Sequence, residues 1–218
     1  KCYSYYTYQC DSLMASPNGD KLWDSFLAEA VGKGLKGKQL YNAIPHRRMT
    51  ATIYKNYPQG KITVTDFLLG QYYLYEDALN SQEWNIESDS MKVVLGHECQ
   101  KATCSFRGRK WTAWFALDVP ISDGPLKFCG LPGLIMEVYD RGKQYYFCIN
   151  GMQQVSATPI TFGILDKDFK HFQKTDRKDF LLSKYRYLRN QNSINEASTG
   201  ISLGSVDEAL KYDLIEKE

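Results

Sequence analysis

The feature that most constrains the fold is a succession of strand-like segments that starts at residue 47 and runs towards Pro159. RRMTATIYKNY, a PQGK turn and ITVTDFLLG read as a hairpin, and QYYLYED follows. EWNIES then leads to MKVVLGHECQKATCSFRG, RKWTAWFALDVP and LIMEVYDRGKQYYFCINGM. In RKWTAWFALD, Trp111, Ala113, Phe115 and Leu117 fall on one face and Thr112, Trp114, Ala116 and Asp118 on the other. Side chains alternate across a strand, so the more apolar first set predicts the buried face. RGR at 107–109 is a natural tight turn, and connections this short join antiparallel neighbours. The 16 Tyr and 10 Phe favour β-structure. The expected fold is mainly β with an α+β margin: a single, strongly curved antiparallel meander with a few helices covering one face. Half-barrel lipoprotein carriers offer a fold-level analogy.

The flanks read differently. Residues 3–10, YSYYTYQC, look like a Tyr-rich strand, and SPNG at 16–19 is a turn signal. In 20–31, Leu22, Phe26 and Ala30, with Trp23 and Leu27, recur at helical spacing. GKGLKGK at 32–38 breaks that helix. It does not join a strand to a helix start as a phosphate loop would, so it reads as a basic loop. A second helix is expected within 165–191, capped by Thr175, with Asp176 and Asp179 near its positive end and Arg186 and Arg189 near its negative end. Residues 192–218 read as a polar, mobile tail with a short helix opened by Ser205-Val206-Asp207-Glu208. No repeat or linker divides the rest, so one domain is expected over 1–191, with its core at 47–190.

Charge and composition exclude some partners. A net charge of +2, with no basic stripe interleaved with aromatics, does not suit nucleic acid. No apolar run reaches the roughly 20 residues of a membrane span. The chain opens KCYSYYTYQC without a charged-then-apolar leader, so either it is cytosolic or a leader has been removed. Six cysteines, an even number with no C-x-x-C, point to disulfides and an oxidising compartment. Cys2 and Cys10 cannot bridge if the segment between them is one strand, because eight steps span roughly 26 Å.

Residues 128–140, FCGLPGLIMEVYD, raise the functional question. Leu131-Pro132-Gly133-Leu134 fits a type II turn with glycine at the positive-φ position. If the following hairpin closes with a two-residue turn, Ile135 opposes Cys148 and Cys129 comes near it. The connection ISDGPLKFCGLPGL at 121–134 is long for adjacent strands, and long Gly/Pro-shaped connections are often functional. Trp114, Phe128, Leu131 and Leu134 are candidates to line an apolar pocket on a backbone stiffened by Pro125 and Pro132. The competing reading makes the segment a plug whose leucines are core. His97 and Cys99 share a strand face and form a weak candidate pair for a metal or a thiol nucleophile, without recognisable third and fourth ligands. No G-x-S-x-G elbow occurs, and Asp118 and Asp123 read as loop-solubilising acids.

Residues 130–135, GLPGLI, are the signature after which the GLPGLI family is named, and the chain resembles that family over roughly 47–190. Gly96, Cys99, Lys101-Ala102, Gly108-Arg109, Ala113-Trp114, Pro120 and Gly124-Pro125 fit its pattern. His97 departs from it, since an aromatic residue is more usual there, and Cys104, Cys129 and Cys148 are additions. The resemblance implies a secreted Bacteroidota protein of unassigned chemistry, periplasmic or at the cell surface. It supplies no catalytic residues. The expected function is a non-enzymatic binding, carrier or accessory module of the envelope, without a cofactor, for an apolar ligand or an envelope protein. A metal-assisted hydrolase using His97 and nearby acids is one alternative. A protein-interaction subunit using an exposed sheet edge is another.

Overall fold

The structure, a computed structural model, describes residues 1–47, 49–156, 171–199 and 214–216. Nine strands and four helices stand among them. The strands are β1 (Thr52–Lys55), β2 (Lys61–Leu68), β3 (Gln71–Ala78), β4 (Asn85–Val94), β5 (His97–Phe106), β6 (Arg109–Ala116), β7 (Leu134–Asp140), β8 (Tyr146–Cys148) and β9 (Phe172–Lys174). The helices are α1 (Tyr5–Met14), α2 (Gly19–Gly32), α3 (Gly37–Ala43) and α4 (Arg177–Thr199). The fold is mainly β and antiparallel-rich, with covering helices and no closed barrel. The strands divide into two sheets rather than one: β1-β2-β3-β9 and β4-β5-β6-β7-β8. The division falls between β3 and β4, because β3 takes β9 as its parallel neighbour, with Tyr72 opposite Phe172.

The hairpins follow from their turns. Leu69-Gly70, Leu95-Gly96 and Arg107-Gly108 each place two successive residues at positive φ. That is the two-residue turn whose twist matches paired strands, and glycine accepts it without penalty. β5, β6 and β7 then align as the alternation in β6 predicts. Trp111, Ala113 and Phe115 join Ala102, Cys104 and Phe106 of β5 and Ile135 and Val138 of β7 in one buried cluster. Leu117, just past the strand, is exposed. A second cluster, with Ile53, Ile62, Val64, Leu68 and Tyr75, sits on the four-stranded sheet under Phe180 of α4.

Several expectations are corrected. Residues 3–10 are not a strand. The Ser4 hydroxyl accepts from the Thr7 N–H at 3.3 Å and opens α1, whose Tyr5, Tyr6 and Tyr8 are exposed. Aromatics favour strands through packing across a sheet, and these tyrosines are instead exposed on a helix. Cys2 reaches a sheet, by a bridge to Ile53. All six cysteines are free thiols, so the expected disulfides are absent. The β7–β8 connection is longer than two residues: Tyr139 opposes Tyr146, so Glu137, not Ile135, faces Cys148. α4 is capped by Asp176, which accepts from the Asp179 N–H at 2.9 Å, one residue beyond the expected Thr175. That bond holds the Asp176 carboxyl below its usual range. α4 also runs to Thr199, eight residues into the stretch read as tail, leaving Arg186 and Arg189 in mid-helix. Pro159 and the capping box at 205–208 lie outside the described residues.

Candidate functional site

The loop between β6 and β7 is built as a plug. Its ends are tied by the Leu134 N–H to the Val119 carbonyl at 3.0 Å and the Ile135 N–H to the Asp123 carbonyl at 2.9 Å. Leu126, Lys127, Phe128, Cys129 and Leu131 are all buried. Phe128 sits at the centre of an aromatic group, edge-on to Trp111 at 4.7 Å and to Phe106 at 6.0 Å, with Trp84 at 6.2 Å. A buried loop must still satisfy its backbone. Here three successive carbonyls are met by side chains from outside the loop: Lys127 by Gln82 Nε2 at 3.0 Å, Phe128 by Lys55 Nζ at 2.7 Å and Cys129 by Trp84 Nε1 at 2.8 Å.

The signature's glycines differ in purpose from the expected type II turn. The positive φ falls at Gly130, at 91°, and not at Gly133. Gly133 is there for proximity: a Cβ would stand 2.0 Å from the Ala116 carbonyl oxygen. The chain passes too close to the end of β6 for any side chain.

The six candidate pocket residues therefore do not meet in one cavity. Phe128 and Leu131 belong to the core cluster on the inner face of the five-stranded sheet. Trp114 and Leu134 lie on its outer face, partly buried against Val94, Cys99, Ala116 and Met136. Pro125 is half-buried and Pro132 exposed. The ammonium of Lys92 stands 4.6 Å over the Trp114 ring, and the buried indole N–H of Trp114 donates to no group among the described residues.

His97 and Cys99 do share a face, but they do not act together. His97 Nδ1 lies 2.7 Å from Asp118 Oδ2, an acid that had read as loop-solubilising. Cys99 is fully buried, its thiol turned to the His97 carbonyl at 3.5 Å, and burial raises its pKa. A buried, protonated thiol is a poor nucleophile. Among the described residues no three His, Cys, Asp or Glu side chains are grouped to hold a metal.

The outer face holds an arrangement that sequence reading missed. Asn85 opposes Thr103, Thr103 opposes Thr112, Thr112 opposes Tyr139, and Tyr139 opposes Tyr146. This row of an amide, two hydroxyls and two phenols crosses all five strands. Tyr139 and Tyr146 stack at 6.1 Å and 25°. A depression of about 610 Å³ opens over Asn85, Thr103, Thr112 and Tyr139 of the row, walled by Glu83, Ser105, Lys110 and Arg141. The next row is closed by charges, with its Lys101 2.9 Å from its Glu87 and Lys92, from beyond the row, 2.5 Å from its Glu137. Asn85, Thr103 and Thr112 make no side-chain hydrogen bond to another described residue. Polar residues at alternating positions were visible in the sequence, but only the register aligns them.

A family model described as a protein of unknown function (Porph_ging) matches residues 107–137, which span β6, the plug loop and the start of β7. No curated protein matches the chain. Solved structures of PNGF-II, in P21 and C2 crystal forms, are similar at 16% identity and a TM-score of 0.37. Each match covers 56% of this chain and 22% of the other.

Proposed function

We propose that this chain is an exported GLPGLI-family binding module of the cell envelope, non-enzymatic, whose ligand face is the outer face of the five-stranded sheet. The single observation behind the reading is the Asn85–Thr103–Thr112–Tyr139–Tyr146 row, whose first four members line the open depression. Unpaired amide and hydroxyl groups beside a stacked phenol pair suit a polar ligand rich in hydroxyl or amide groups. An apolar ligand at the 121–134 loop fits less well, because Phe128 and Leu131 already fill that space. Export rests on the resemblance of residues 130–135 and their surroundings to the family.

The test is native mass spectrometry of the chain recovered from the cells that make it. A non-covalent adduct is expected, and Thr112→Arg, which fills the depression, should remove it. A bare chain, or an adduct indifferent to Thr112→Arg, overturns the reading.

A second reading has its own observation. β4 is an edge strand, and its Ile86, Met91 and Val93 are exposed, which suits an envelope protein that adds a strand. The ladder is interrupted by a bulge between Glu87 and Met91, which shortens the edge on offer. Co-purification of a partner that is lost on Val93→Lys would favour this reading over the first.

A further inference from the structure

Residues 214–216, Leu-Ile-Glu, are seated where the two sheets and α4 meet. Three separate features of the segment are recognised. Arg109 reads its backbone, donating from Nη2 to the Leu214 carbonyl at 2.8 Å and from Nε to the Ile215 carbonyl at 3.0 Å. The Ile215 side chain packs against both hydrophobic clusters. The Glu216 carboxylate lies 2.6 Å from Lys127 Nζ, 3.3 Å from Arg177 Nη1 and 4.0 Å from Arg107 Nε. Lys127 and Arg177 are buried, and the Nε of Arg107 is buried without a hydrogen-bond partner among the described residues.

The electrostatics show why this place needs an occupant. Among the described residues Arg107, Arg109, Lys127 and Arg177 are met by Asp77, Asp140 and Glu216. Asp77 serves both Arg107 and Lys127, and Asp140 serves Arg109. Without Glu216, Arg177 would lose the one acid that reaches it among the described residues, and Lys127 would keep only a shared one. Buried cations left short of a counter-charge are costly, so the cleft carries a standing demand for a carboxylate.

We propose that this cleft is a peptide-binding site for an aliphatic residue followed by a carboxylate, and that residues 214–216 are its occupant in cis. The contacts go to backbone carbonyls, one aliphatic side chain and one carboxylate. None of them depends on the occupant belonging to the same chain. A segment of the same chemistry on another molecule would bind there whenever 214–216 is displaced. The tethered segment has a high effective concentration and outcompetes free peptide.

The test uses the full chain carrying Ile215→Asp and Glu216→Lys, together with a fluorescein-labelled peptide of sequence YDLIEKE. Saturable one-to-one binding is expected. Binding should be lost when the peptide is changed to YDLDKKE, and lost again when Lys127→Met is added to the chain. The unaltered chain should bind the peptide at least about tenfold more weakly, because its own segment competes. A folded variant that does not bind, or an unaltered chain that binds equally well, overturns the proposal. If the double variant fails to fold, the free peptide should restore a cooperative melt, and its failure to do so overturns the proposal as well.

Discussion

The two faces of the five-stranded sheet are made from the same strands, often from consecutive residues, yet they are built to opposite ends. The inner face carries Trp111, Ala113 and Phe115 and is sealed by Phe128 and Leu131 of the plug loop. The outer face carries Thr112 and Trp114 between them and is crossed by an ion-paired row and a polar row whose Asn85, Thr103 and Thr112 are unpaired among the described residues. Apolar burial and the pairing of three successive loop carbonyls give the inner face its stability. The outer face leaves hydrogen-bonding groups unsatisfied by the protein, so changes there should affect binding far more than folding.

The sharpest way to break that contrast is Phe128→Ala. It empties the centre of an aromatic group and should cost about 3–5 kcal/mol in a denaturant titration. A loss as small as that from a surface change would mean the loop is not a plug. Lys55→Met comes next. It removes the ammonium from the Phe128 and Gly124 carbonyls and should cost about 1–3 kcal/mol by the same titration.

A pH series probes the inner face differently. Burial raises the Cys104 thiol from 9.0 to about 12. In the unfolded chain it ionises first, so the stabilising contribution is full below 9.0 and is lost as pH rises towards 12. Thermal melts should show stability falling by about 1 kcal/mol per pH unit across that window, and Cys104→Ala should flatten the slope. The smallest effect belongs to the outer face. Thr112→Arg should move stability by no more than about 0.5 kcal/mol, as read by the same melts. A large loss would show that the polar row is structural.

Much of this contrast was legible in the sequence, and the misses have physical causes. The alternation in β6 identified the buried face because burial on one side of a strand imposes a period of two. The plug was one of two readings of 121–134, and its buried leucines and Phe128 match that reading. The polar row was not legible, since it depends on four inter-strand registers, including a bulge between Trp114 and Phe115. The contact from Lys55 was equally hidden, because it joins residues 73 apart in the chain. The division into two sheets depends on β9, whose three residues carry too little pattern to be recognised. The strand assigned to residues 3–10 failed because composition was read where a helix cap, Ser4, decided the matter.

Lys55 has one more consequence. It belongs to β1 of the four-stranded sheet, yet its ammonium holds the loop that closes the core of the other sheet. Cutting between β3 and β4 would strand that lysine in one piece and leave the Gly124 and Phe128 carbonyls bare in the other, so neither sheet is expected to fold as an excised fragment. The two sheets should therefore melt together, and backbone amides in both should share one global protection against hydrogen exchange.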